Sequence, residues 1–248
     1  MREVAVIGVG MTKFGKYIGT SAKDLGRIAC LAALKDANIS PRGIQVGYCG
    51  NAVAGVMTGQ TMVLGQLAMK EVGIVGIPIT NIENACSSGS TAFREGWIAV
   101  ASGMYDIALV LGVEKLYASD TGQTDQALAG ASDIEIEGGL GLIMPGVWAM
   151  RAIKHMEKYG TTIDQLAKIS VKNHNNGCLN PNSQYQKPCT VEEVHKSRMI
   201  SDPLTVLHCS PIGDGAAAAV LCSKEIAHRY TTKPVFVAAA VLTSGTYD

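Results

Sequence analysis

The sequence carries no excess charge of either sign, no apolar stretch long enough for a bilayer and no regular cysteine spacing. Each absence removes a class of protein. The 21 basic and 21 acidic residues cancel, and no basic stripe is visible, so nucleic acid and anionic membrane surfaces are not expected partners. The longest apolar runs, such as VGIVGIPI at 72–79, fall well short of the ~20 residues a spanning helix needs. The opening MREVAVIG places two charges ahead of a strand-like run and lacks a small-residue cleavage pattern, so it does not read as a signal peptide. Seven cysteines (Cys30, Cys49, Cys86, Cys178, Cys189, Cys209 and Cys222) are odd in number and irregular in spacing. That favours buried thiols in a reducing, cytoplasmic setting over a disulfide scaffold.

Three familiar motifs are missing as well. Gly8, Gly10 and Gly15 follow a strand-like run, but their spacing is not G-x-G-x-x-G and no acidic residue caps a second strand at the right distance, which argues against a dinucleotide site. They read instead as a tight strand-to-helix connection. His174, Cys178, Cys189 and His195 are ligand-type residues close in sequence, yet no short C-x-x-C pair or zinc spacing links them, so no metal is expected. SSGS lacks the leading glycine of a nucleophile elbow, which removes the serine-hydrolase reading.

What is present is an α/β pattern. EVAVIGVGMT reads as a buried strand. In SAKDLGRIACLAALKDANI, Ser21 and Asp24 form a capping-box pattern, and Leu25, Ile28, Ala29 and Ala32 fall on one helical face. Strands are expected in GIQVGYCGNAV, IPITNI and YDIALVLGVE, and helices in TMVLGQLAMKEVG and SSGSTAFREGWIAVASG. Such alternation predicts a mixed sheet with helices on its faces. After Glu114 the sequence turns rich in Asn, Gln, Ser and Gly, with helices expected at 145–160 and 161–174. Residues 115–208 therefore read as an insertion of the kind that carries a binding site. The first core, residues 1–114, resumes at 209–231, where the alanines of GDGAAAAVLCS suggest a closely packed strand. Residues 232–248 then begin a further strand that resembles the opening one.

Cys86, in NIENACSSGSTAF, stands between an extended run and small, helix-compatible residues. Two readings stand open. A thiol at that junction faces unpaired backbone N–H groups and the positive end of a helix dipole, which favour the reactive thiolate. The alternative is an inert cysteine packed as a small hydrophobe.

Several stretches together resemble the thiolase family, especially its sterol-carrier-protein and archaeal–bacterial types: REVAVIGVGMTKFG, ENACSSGSTAF, KYGTTIDQLAKISVKNHNNGCLNPNSQY and ISDPLTVLHCSPIGDGAAAAVL. The resemblance implies a thiolase-like layered α/β/α fold, with a mixed five-stranded sheet, an inserted loop domain and a C-terminal half largely absent here. It implies that Cys86 is the acyl-accepting nucleophile, buried at the start of a central helix. Ser210 and, less directly, Tyr159 would line the tunnel for the pantetheine arm of coenzyme A, while His174 is structural. Coenzyme A is then a substrate and no further cofactor is implied. Partners implied are acyl-CoA, a second copy of the chain joined through the strand before Cys86, and a small zinc-ribbon/OB-fold accessory protein of the kind that serves benzoylsuccinyl-CoA thiolases. Two alternatives stand beside this: a non-catalytic or accessory-protein-dependent thiolase subunit, and a ketoacyl-synthase-like condensing enzyme, which shares the ACSSG segment. The histidine-glycine-proline, Asn-rich and C-x-G segments of the family are not found after Cys86. This chain alone is therefore expected to be catalytically inert.

Overall fold

A computed structural model describes residues 1–118 and 121–245. In chain order the elements are β1 (Val4–Met11), α1 (Ala22–Asp36), β2 (Val46–Gly50), α2 (Ala54–Thr58), α3 (Leu64–Lys70), β3 (Ile79–Ile82), α4 (Ser88–Ala101), β4 (Ile107–Glu114), α5 (Thr121–Ala129), α6 (Met144–Tyr159), α7 (Ile163–Leu179), α8 (Val191–Lys196), β5 (Met199–Ser201), β6 (Leu204–Thr205), β7 (Gly215–Ser223), α9 (Lys224–Ala227) and β8 (Val235–Phe236). They divide into two compact units. One comprises residues 1–12, 16–116 and 214–248, and the other 13–15 and 117–213.

The first unit is built on a mixed sheet of order β3-β2-β4-β7-β1-β8. The pairs β2–β3 and β2–β4 are parallel, whereas β4–β7, β7–β1 and β1–β8 are antiparallel. Five strands form its body. The sixth, β8, adds only Val235 and Phe236 opposite Val6 and Ala5, so the long strand expected over 233–245 is reduced to two residues, and the last three of the chain lie outside the described residues. Alternation along the strands sorts the core into two layers. Ile107, Leu109, Leu111 and Val113 of β4 join Ala216, Ala218 and Val220 of β7 beneath α1 and α3, while Ala108, Val110 and Leu221 pack with Ala92, Ala99 and Val100 of α4 on the other face. The result is a helix–sheet–helix sandwich.

Small residues set its spacing. Gly8 and Gly10 lie inside β1, as the strand expected from EVAVIGVGMT has them and not in a strand-to-helix connection, and a Cβ on Gly8 would stand 2.4 Å from Ala37 N and one on Gly10 2.4 Å from the backbone of α1. Helix α1 begins as its sequence predicts, with Ser21 Oγ accepting the Asp24 N–H at 3.1 Å. Its buried face differs from the expected one: Leu25 and Ala29 are buried with Gly26, Cys30 and Ala33, but Ile28 is 39% exposed. The stripe turns because the glycines of β1 bring α1 in edge-first, through its alanines.

In this unit Asp214 is fully buried and accepts from Lys115 Nζ (2.5 Å), Leu116 N (2.8 Å) and Tyr17 N (3.0 Å). Lys115 Nζ also donates to the Tyr17 carbonyl at 2.6 Å. A buried carboxylate is stable only with such compensation. The second unit is largely helical. Thr162 and Thr190 open α7 and α8 through reciprocal capping boxes with Gln165 and Glu193, and β5 and β6 form a short antiparallel hairpin.

Candidate active site

The segment between β3 and α4 owes its shape to a short hydrogen-bonded turn. Ala85 adopts φ +45°, a left-handed conformation that is unfavourable for a residue with a Cβ. The strain is held by neighbours. Glu83 Oε1 accepts the Ala85 N–H at 2.5 Å, and Ser88 Oγ accepts from Asn84 N (2.9 Å) while donating to the Ala85 carbonyl (2.7 Å). Asn84 Nδ2 reaches Thr91 Oγ1 at 2.9 Å. Cys86 is the middle residue of the 3-10 turn Ala85–Ser87 that runs directly into α4.

Two of the amides that follow the thiol are already engaged. Ser87 N–H donates to Asn84 O at 2.9 Å and Ser88 N–H to Ala85 O. Among the described residues the Cys86 amide itself has no partner. The amides of Ser87 and Ser88 are thus removed from the set of free amides expected from the sequence, and that of Cys86 stays in it.

Close backbone packing fixes where the turn sits. A Cβ on Gly50, at the end of β2, would lie 2.3 Å from the Ser88 carbonyl oxygen and 2.7 Å from Gly89 Cα. On the neighbouring strand, a Cβ on Gly112 would come within 3.4 Å of Gly89 Cα. Two turns further, Gly96 fits over Val110 and Leu221, where a Cβ would meet Val110 at 2.6 Å. The glycine at 89 and the one at 96 therefore face the sheet together and let α4 lie directly on it. A cleft of about 260 Å³ flanks the turn, lined by Asn51, Gly55, Met62, Leu64, Asn81 and Glu83.

Cysteine environments separate sharply. Cys30, Cys49 and Cys222 are buried. Burial raises the Cys30 thiol far above its ordinary value, and pushes Cys49 up to about 12 and Cys222 to about 11. Cys189 and Cys209 are raised for the same reason. Cys86 alone among the seven is exposed. The burial implied by the resemblance does not hold in this chain, because the turn ends at the surface of the sandwich, with only Ser88 beneath it fully enclosed.

The other candidates lie in the second unit. Tyr159 ends α6, 63% exposed, with its ring 4.7 Å from that of His155. Ser210 is exposed and follows the turn Val206–His208. His174 stacks on Tyr185 at 5.6 Å and its Nδ1 lies 3.1 Å from the Lys187 carbonyl, while His195 Nε2 lies 2.8 Å from Asp164 Oδ1. Among the described residues no three metal-ligand side chains converge, and no helix is long and apolar enough to cross a membrane. Sequence reasoning missed the Ala85 strain, the Glu83 and Ser88 supports and the Gly50 approach. Only the serine four residues after Asn84 hinted at a side-chain-supported turn.

Residues 4–225 match the family profile described as "Thiolase, N-terminal domain". The chain belongs to the thiolase family. Its relatives agree: it is 45% identical over 246 residues to the acetyl-CoA acetyltransferase of Methanothermobacter thermautotrophicus, covering 99% of this chain and 63% of that protein. It is 39% identical to the benzoylsuccinyl-CoA thiolase subunit BbsB of Thauera aromatica, covering 99% of this chain and 62% of that one. Among solved structures, the Ltp2-ChsH2(DUF35) aldolase superposes with a TM-score of 0.77 at 25% identity, over 94% of this chain and 58% of the other. The thiolase chain described here thus spans less than two thirds of the length of these relatives.

Proposed function

We propose that the protein is a thiolase acting on 3-ketoacyl-CoA through an acyl-cysteine at Cys86. In the degradative direction Cys86 Sγ attacks the 3-keto carbon, the C2–C3 bond breaks, and the electron pair leaves on acetyl-CoA, which takes up a proton. Free coenzyme A then attacks the thioester, releasing the shortened acyl-CoA and restoring the thiol. Run backwards, the cycle is a Claisen condensation. The observation that carries this reading is the contrast among cysteines: one exposed sulfur on a strained turn at the head of the helix lying on the sheet, against three buried ones.

The division of labour follows from what the chain holds. Glu83, Asn84 and Ser88 position the sulfur by fixing the turn, and the unpartnered Cys86 amide offers one donor to developing negative charge. Ser210 and Tyr159 are the proposed contacts for the pantetheine arm. The acid/base histidine and second cysteine implied by the resemblance belong to a C-terminal half, so the 248 residues by themselves are proposed to be inactive. The edge position of β3 in the sheet supports homodimerisation through its free side. The subunit designation of BbsB and the two-component ChsH2(DUF35) neighbour support a small accessory protein as a further partner.

In the full-length protein, Cys86→Ser is expected to reduce thiolysis of a 3-ketoacyl-CoA by about 10³-fold or more with an unchanged melting temperature. Thiolysis surviving that change would refute the assignment. Deacylation of the enzyme by acyl-carrier protein instead of coenzyme A would favour the condensing-enzyme alternative.

A further inference from the structure

The turn that leads to Ser210 contains an unusually placed histidine. His208 closes the turn Val206–His208, and its Nδ1 accepts the N–H of Thr205 at 3.1 Å. Thr205 is itself buried, with its Oγ1 2.8 Å from the Val194 carbonyl and accepting from Ser197 Oγ at 2.8 Å. Ser197 Oγ in turn receives the Leu207 N–H at 3.3 Å. A backbone N–H can only donate, so Nδ1 carries no proton and the neutral ring holds it on Nε2. That Nε2 atom is buried and has no partner among the described residues.

We propose that His208 is a positioning residue that holds the Ser210 loop in its binding shape only while the ring is neutral. This rests on the reading that Ser210 meets the coenzyme A arm. Protonation would set an Nδ1–H against the Thr205 N–H and break the side-chain cap at the start of the turn, leaving only the backbone bond from Cys209 N–H to the Val206 carbonyl to hold it. Of the groups facing the ring, His195 opposes the charge, while the Thr205 hydroxyl, 2.9 Å from Nδ1, can accept from a protonated ring and offsets part of that cost. From α8 the neighbour is His195, 6.5 Å away between ring centroids, and its Nε2 is engaged by Asp164 of α7; β6 presents only the Thr205 hydroxyl. Burial first, and His195 second, lower the proton affinity of His208 from its ordinary 6.5.

The sign follows from a lowered histidine value. The turn has its full stability above pH 6.5 and loses it as pH falls below, where a disordered loop binds the proton more readily. One unit below the ordinary value, at pH 5.5, the loss in affinity is at most about tenfold.

The test uses the full-length protein, comparing wild type with His208→Asn, whose Oδ1 can accept the Thr205 N–H without titrating. Expected in the wild type are a pyridine-type ¹⁵N shift at His208 Nδ1, and a KM for acyl-CoA that rises several-fold between pH 7.5 and 5.5 with kcat changing much less. His208→Asn keeps the neutral-pH KM and flattens that rise, and His208→Phe raises KM at every pH. A proton found on Nδ1, or an equal pH rise in wild type and His208→Asn, overturns the proposal. If protection of the Thr205 amide from exchange falls with acid in wild type alone while KM stays flat, it is the Ser210 reading that fails, and with it the binding role given to His208.

Discussion

Gly50→Ala is the substitution that tests how tightly the fold controls the site. The added Cβ would start 2.3 Å from the Ser88 carbonyl oxygen and 2.5 Å from its carbon, and both are main-chain atoms. No side chain can swing aside. Moving the oxygen from 2.3 Å to the 3.0 Å that real Cβ contacts reach requires a shift of about 0.7 Å, and ordinary contact at 3.4 Å requires about 1.1 Å. Because Ser88 Oγ and its neighbours define the Cys86 turn, the sulfur moves with them. Overpacking of this kind destabilises by about 1–3 kcal/mol, which lowers the melting temperature by roughly 2–12 °C in a protein of this size. A misplacement near 1 Å reduces the rate of a positioned reaction by about 10²-fold. Thermal melting and the rate of acylation at Cys86, followed by mass spectrometry, measure the two effects. Gly15→Ala is the control, since its Cβ would meet nothing within 4 Å, and its expected change is within about 0.5 kcal/mol. Gly50→Ala with native stability and native acylation would refute the claim that this approach sets the sulfur's position.

Asp214→Asn should destabilise the chain by about 3–5 kcal/mol, because it removes the negative charge that compensates the Lys115 ammonium, whose side chain is only 12% exposed and keeps the Tyr17 carbonyl as acceptor. Adding Lys115→Met should restore part of that loss in chemical denaturation, and a strictly additive double variant would contradict the ion-pair account. Stability should also fall as pH rises above 9. With the Cys49 thiol pushed up from 9.0 to about 12 and Cys30 raised too, the unfolded chain ionises first, at about 1.4 kcal/mol per pH unit for each thiol. Cys49→Ala should make the alkaline slope shallower; an identical slope would show that Cys49 is not protected by burial.

Much of the fold was legible because its signals are local. The Ser21 cap is a nearest-neighbour pattern, and the apolar runs of β1, β4 and β7 could only be buried strands, so the layered sandwich followed from their alternation with helices. The misreadings share a cause in tertiary context. The strand expected from EVAVIGVGMT already held Gly8 and Gly10, against their second reading as a connection, but not the reason for them: the helix above lies too close for a Cβ, and that same approach rotated the buried stripe of α1 away from Ile28. Helix α7 runs on to Leu179, past the expected end at His174, since nothing in NHNNG forbids the helix and its side chains dock on the returning chain at Tyr185 and Lys187. The helix start after Cys86 was readable from its string of small residues. Its exposure was not, because accessibility depends on what packs over the turn and not on the residues that make it.

The most direct measurement is a peptide map of the full-length protein trapped with a 3-ketoacyl-CoA before coenzyme A is added. The account predicts one acyl group, on the peptide that contains Cys86, and its release when coenzyme A is supplied. An acyl group on any other residue, or turnover with no covalent adduct at Cys86, would contradict it.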